Sequence, residues 1–194
     1  MESARPVRTR RRGEDLLRAI HAAVLGELAE VGYGNLTMEG VATRAGCGKA
    51  PLYRRWKTKD DMVLDAVRHG FSLRQGPAYT GNLRDDLLLT LRGMAAGLAG
   101  PFGGILRAVL SETHRRPALM DALHASIFDP RAAEMRTMLR AAAAAGEIRA
   151  DAVDSPAATL GPELVVFRFL TEGTPLPDTT ITGIVDDVIL PLLS

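Results

Sequence analysis

The sequence predicts an all-α fold, a small N-terminal helical unit followed by a larger helical body. Three observations carry this. Apolar residues recur at three- and four-residue steps along successive stretches of chain. Capping residues, glycines and prolines stand at the joints between those stretches. Residues 37–57, TMEGVATRAGCGKAPLYRRWK, read as two brief helices around a glycine turn.

A chain of 194 residues, 46% hydrophobic and 24% charged, is long enough for one or two domains with a proper core. Its net charge of +1 hides an asymmetry. Residues 1–57 hold 11 Lys/Arg against 6 Asp/Glu, a net of +5, and residues 58–194 hold 13 against 17, a net of −4. A basic front end on an acidic body is suited to meeting a polyanion. The single cysteine, Cys47, excludes an internal disulfide framework and fits a reducing compartment. No run approaches the length of a membrane span, and no apolar stretch follows the N-terminal arginines. A cytoplasmic location without a membrane partner is expected.

Residues 5–12, RPVRTRRR, are too charged to join a core. They fit a solubilising tail and a phosphate- or minor-groove-binding arm equally well. Over residues 14–31, Leu17, Ile20, Val24, Leu28 and Val31 form one stripe of an amphipathic helix. Glu14 and Asp15 suit its positive first turn, and Gly32 and Gly34 end it. His21, within it, reads as a surface or boundary residue and is assigned no role.

Thr37 is a good N-cap for a run through Val41, Ala42 and Ala45. Gly46 supplies the sharp turn. The next helix, from about Lys49 to Trp56, can anchor on Leu52 and Trp56 while Lys49, Tyr53, Arg54 and Arg55 stay outside. Such a helix fits a major-groove reader. By periodicity alone it fits an ordinary helical hairpin with solvated arginines as well. Cys47 reads as a small filler in the turn rather than a redox sensor.

Thr58-Lys59-Asp60-Asp61 is a variant capping box opening a helix with Met62, Val63, Val67 and Phe71 for packing. Gly76, Pro77 and Gly81 mark its end and a loop. Domain bounds are expected at 1–57 for the arm and helical reader, 58–78 for the connecting helix and 79–194 for the body.

In the body, Asn82 caps a helix bearing Leu87, Leu88, Leu91 and Met94. A further stripe holds Phe102, Ile105, Leu106, Val109 and Leu110. Gly103 and Gly104 near its start read as a loop margin in preference to a hinge. Pro117 starts another helix, which Asp129-Pro130 kinks or restarts and Gly146 closes. Leu160, Leu164, Val165, Val166, Phe167, Phe169 and Leu170 then make a helix apolar almost all round, which needs burial on more than one side. After residues 173–177, Ile181, Ile184, Val185, Val188, Ile189 and Leu192 form a final stripe. The pair fits a dimer interface built on Leu160, Leu164, Phe167, Ile181, Ile184, Val185, Val188 and Ile189. Closure of the monomer core is the alternative.

No catalytic arrangement is expected: HExxH, GxSxG, Walker and dinucleotide motifs are absent, and Glu112, His114, Asp121 and His124 lack metal-ligand spacing. No metal and no cofactor are expected. Phe102, Leu106, Met120, Leu123, Ile127, Phe128, Met135 and Met138, with His124 and Arg136 as polar handles, fit a mostly apolar ligand pocket, although methionines and aromatics at helical spacing are commonly core.

Taken together, Thr37, Ala45-Gly46, Lys49, Leu52-Tyr53, Trp56 and Lys59-Asp60 resemble, in order and spacing over about 50 residues, the DNA-binding domain of the TetR family of transcriptional regulators. The resemblance implies that Thr37, Tyr53 and Lys57 hold phosphates while Arg44, Lys49, Ala50 and Arg54 face the groove. It implies that the helix after Thr58 is a lever and that the C-terminal helix pair dimerises. Gly48 and Pro51 depart from the family pattern, each removing a side-chain donor and so bearing on which bases are read. The implied function is repression from a palindromic double-stranded operator by a homodimer that a small, mostly apolar effector releases. An activator, or a helical enzyme or interaction module with a merely structural hairpin, are the alternatives.

Overall fold

The computed structural model describes residues 13–70 and 79–194; the predicted arm, Phe71, Gly76 and Pro77 lie outside the described residues. The described chain is helical, without strands. Helix α1 (Glu14–Asn35) buries Ile20, Val24 and Leu28 as the stripe predicts, with Val31 at its exposed margin. Its regular part ends at Gly32, whose φ of 74° lies in the region open to glycine.

Helix α2 (Met38–Ala45) starts where the Thr37 hydroxyl accepts the Gly40 N–H at 3.0 Å. It stops at the left-handed Gly46, beyond which the Cys47 N–H returns to the Ala42 carbonyl. Helix α3 (Lys49–Arg55) follows within three residues and sinks Leu52, and then Trp56, into the core. Helix α4 (Lys59–Gly70) opens on the predicted capping box. The Thr58 N–H donates to Asp61 Oδ2 at 3.1 Å, and the Asp61 N–H donates to Thr58 Oγ1 at 3.0 Å.

The body begins with α5 (Leu83–Ala99), capped by Asn82, and α6 (Pro101–Leu110). Helix α7 (Pro117–Leu123) runs through a π-helical turn, His124–Phe128, into α8 (Asp129–Ala144). The widened turn lies just before Pro130, which has no N–H for the regular ladder. Helix α9 (Ala157–Glu172) precedes α10 (Asp178–Gly183), a second π-helical turn (Ile184–Ile189) and α11 (Leu190–Leu193). No single helix among the described residues is long and apolar enough to cross a membrane.

One continuous apolar cluster runs from Ile20 to Leu193, so reader and body share a core. Their main joint is α6 on α1, and it corrects the reading of Gly103-Gly104 as a loop margin. Both lie inside α6, where a Cβ on Gly104 would stand 3.4 Å from the Ala29 Cβ. A Cβ on Gly103 would stand 2.0 Å from the Leu98 carbonyl oxygen and 3.0 Å from the Phe169 ring. The glycines are there for close approach.

A polar joint lies beside it. Arg116, between α6 and α7, donates from Nε to Asp60 Oδ2 at 2.9 Å and from NH1 to Glu112 at 2.5 Å. Its guanidinium lies 4.2 Å from the centre of the Tyr33 ring, whose hydroxyl donates to Asp60. Burial, then the Asp60 bond, pushes the Tyr33 hydroxyl well above the usual tyrosine range. Asp60 is held below the carboxylate range, chiefly by the Tyr33 hydrogen bond.

Candidate nucleic-acid interface

Capping and a glycine turn set α2 and α3 against each other, and the burial of Leu52 and Trp56 decides which side of α3 faces outward. On that side Lys49, Ala50, Tyr53, Arg54 and Lys57 are all exposed, Tyr53 at 52%. Arg54 and Lys57 have no hydrogen-bond or ion-pair partner among the described residues, so their charges remain available. The Thr37 hydroxyl accepts from the Gly40 N–H and keeps its own hydrogen for an outside acceptor.

Lys49 and Tyr53 are already engaged. Glu39 Oε1 accepts from the Tyr53 hydroxyl at 3.2 Å and lies 3.0 Å from Lys49 Nζ. Arg44 departs further from expectation. Both its terminal nitrogens donate to Glu30 at 2.7 Å, NH1 also reaches Glu27 at 3.4 Å, and its side chain lies across Gly26 of α1. In this state Arg44 ties α2 to α1 instead of facing outward. The Glu30 bond raises the Arg44 pKa above its already high value.

Behind α3 lies a polar hub that the sequence reading passed over. Asp65 of α4 accepts the Trp56 Nε1–H at 3.0 Å through Oδ2, and the same oxygen lies 3.1 Å from His21 Nε2. Its Oδ1 is 3.0 Å from His69 Nδ1, and Arg55 Nε stands 3.9 Å from Oδ2. Burial pushes the Asp65 pKa up, but the hydrogen bonds from His21 and Trp56 outweigh it and hold the group low. One carboxylate thereby joins α1, the end of α3 and α4. His21 is buried, which corrects its reading as a surface or boundary residue. The signal was its spacing: four residues after Leu17 and three before Val24, on the buried stripe. Cys47 is a half-buried filler in the turn, and burial pushes its thiol up, away from reactivity.

The other predicted sites are rearranged. Leu106, Leu123, Ile127, Met135 and Met138 are buried against one another in the core, Phe102, Met120 and Phe128 are half-buried, and His124 is exposed with its ring edge-on to Phe128. The predicted pocket residues thus belong largely to the packed core in this structure. Of that set only Met135 lines either of two cavities among the described residues. The roomier one, about 350 Å³, is an open cleft lined by Arg92, Ala95, Ala96, Ala99, Pro175, Leu176, Asp178 and Ile181. The dimer stripe also needs correction. Ile181, Ile184, Val185 and Ile189 are buried within their own chain, whereas Leu160, Leu164 and Val188 are half-buried and Phe167 is 59% exposed. Leu170, at 46%, extends the outward apolar face of α9.

Two short helices at a glycine turn, the second cationic and outward-facing on a helical body, define a helix-turn-helix DNA-binding protein. Residues 20–66 match the family described as bacterial regulatory proteins, tetR family, and residues 77–188 match the tetracyclin repressor-like C-terminal domain. The chain belongs to the TetR family of transcriptional regulators, and so to regulators rather than enzymes. An HTH-type transcriptional regulator of Mycobacterium tuberculosis is 39% identical over 173 residues, 89% of this chain and 85% of its own. The DNA-binding transcriptional repressor TetR of Mycobacteroides abscessus is 33% identical over 187 residues, 94% of this chain and 96% of its own. Among solved structures, a TetR family transcription regulator superposes with a TM-score of 0.67 at 27% identity, over 94% of this chain and all of its own. A TetR-family regulator from Rhodococcus sp. superposes at 0.70 with 21% identity, over 91% of this chain, a likeness of fold.

Proposed function

We propose that the chain is a cytoplasmic repressor that binds a palindromic operator as a homodimer and is released by a small, mostly apolar effector. The observation that carries this reading is the outward face of α3, where Tyr53 and Arg54 are exposed, with Lys57 just past its end, on a short helix held from behind by Leu52, Trp56 and Asp65. Arg54, Lys49 and Ala50 would face base edges, Arg54 being able to fork onto guanine. Thr37, Tyr53 and Lys57 would take phosphates and set register. Arg44 joins them only after leaving Glu30.

The partner copy is expected on the α9 face of Leu160, Leu164, Phe167 and Leu170, with Val188 at its edge. Effector response is expected to act through α7 and its π-helical turn. That segment carries the predicted pocket residues Leu123, His124, Ile127 and Phe128, and Ser126 Oγ donates to the Arg68 carbonyl of α4 at 3.3 Å. Opening a pocket among them would move this turn and with it α4, shifting the population toward a spacing of the two α3 helices that no longer matches the grooves.

The test is a gel shift on the DNA upstream of the chain's own coding region, comparing wild type with Lys57→Ala and Tyr53→Ala. Both variants are expected to bind more weakly. Unchanged affinity in both would remove α3 as the reading helix.

A further inference from the structure

The outward face of the reader carries one acid among its cations. Glu39, in the first turn of α2, is 49% exposed, and no apolar packing requires it there. Its Oε1 takes the Tyr53 hydroxyl and the Lys49 ammonium together, at 3.2 and 3.0 Å. Lys49 principally, with help from Tyr53, keeps this carboxyl below its ordinary pKa, so it is charged at neutral pH. Glu39 thus engages the hydroxyl and the ammonium that Tyr53 and Lys49 would otherwise offer to an outside acceptor.

We propose that Glu39 is a specificity-determining residue, a built-in competitor for Lys49 and Tyr53 that weakens binding to arbitrary duplex more than binding to the cognate site. The inference rests on α3 being the DNA-reading helix. Non-specific affinity is almost wholly the attraction between cations and phosphates. A carboxylate on the same face repels phosphates and holds back two of the donors, so loose electrostatic engagement loses most of what drives it. A cognate site offers Lys49 an acceptor on a base edge and Tyr53 a phosphate in register, contacts good enough to displace Glu39. The freed carboxylate then sits beside the groove, where it can accept from an exocyclic amine such as that of cytosine but repels an acceptor edge. Both effects discriminate in the same direction.

The test uses Glu39→Gln, which keeps an acceptor oxygen for Tyr53 while removing the charge, with Glu39→Ala beside it. Because the side chain is at the surface, folding is not at stake, and circular dichroism verifies this. Dissociation constants are measured by fluorescence anisotropy on two labelled duplexes. One is enriched from a random pool on the wild-type protein, and the other is a scramble of the same composition. The ratio of cognate to scrambled affinity is expected to fall about fivefold or more in Glu39→Gln, mainly through tighter binding of the scramble, with the effect shrinking as salt is raised. An unchanged ratio, whether both affinities rise together or neither moves, would overturn the proposal. If Lys57→Ala and Tyr53→Ala both bind the enriched duplex as tightly as the wild type, the DNA-reading assignment of α3 fails first and the inference with it; weaker binding by those variants with an unchanged Glu39→Gln ratio overturns the inference alone, so the two failures are distinguishable.

Discussion

Asp65 shows at the scale of single residues how the reader is held. Its carboxylate receives Trp56 from behind α3 and faces His21 of α1, so one charge fixes the angle at which α3 presents its outward side chains. Its pKa lies below the ordinary aspartate value, so the unfolded chain takes up a proton more readily than the folded one. The stabilisation is therefore fully present above the unfolded value of about 3.9 and is lost as pH falls through that value toward the folded one. Thermal midpoints followed by circular dichroism are expected to drop between about pH 5 and pH 3, and to drop less steeply in Asp65→Asn. Trp56, the chain's single tryptophan, reports the same contact: its emission is expected to shift in Asp65→Asn at neutral pH. On the outer face, Lys57→Ala is expected to reduce the slope of log affinity against log salt by about one, as loss of one phosphate contact requires. The outward placement of Lys49, Ala50, Tyr53 and Arg54 was legible in the sequence because they fall away from Leu52 and Trp56 on the helical period. The hub was not, because Asp65 and its partners His21 and Trp56 stand on three different elements, 44 and 9 residues apart in the chain, and leave no spacing signature.

At the scale of elements, starts and stops were legible wherever the backbone needs a particular residue. Thr37, Thr58 and Asn82 each accept an N–H at the mouth of a helix, and Gly46 and Gly146 take positive φ at helix ends. Thr58→Ala is expected to cost about 1 kcal/mol of stability in chemical denaturation, through the lost cap on α4. Gly103 misled because a glycine pair near a helix start suggests slack, while here it admits the Leu98 carbonyl and the Phe169 ring. Gly103→Ala is expected to destabilise by about 1–3 kcal/mol or more, since backbone rather than a flexible side chain must yield. Gly104→Ala, facing only the Ala29 methyl at contact distance, is expected to be much milder. The helix around α10 and α11 misled differently. Periodicity identifies an apolar stripe but not whether a copy or the same chain covers it, and here Ile181, Val185 and Ile189 turn inward.

At the scale of the whole molecule, reader and body are joined by α6 packed on α1, by Arg116 spanning Tyr33, Asp60 and Glu112, and by α4 against α7 and its π-helical turn. Any movement of α7 would therefore reach the reader through short, specific contacts rather than a loose linker. The α9 face turns Phe167 and Leu170 outward, and Phe167→Glu is expected to yield a monomer in analytical ultracentrifugation while keeping its helical content. The body's packed core also explains why the sequence cannot separate core from pocket lining: methionines and leucines at helical spacing serve equally as either. The central claim is that two copies set their α3 helices into successive major grooves. Hydroxyl-radical footprinting of the wild type on its enriched duplex tests it most directly. The account predicts two protected half-sites related by two-fold symmetry, their centres about 34 Å apart. A single protected half-site, or protection without symmetry, would contradict it.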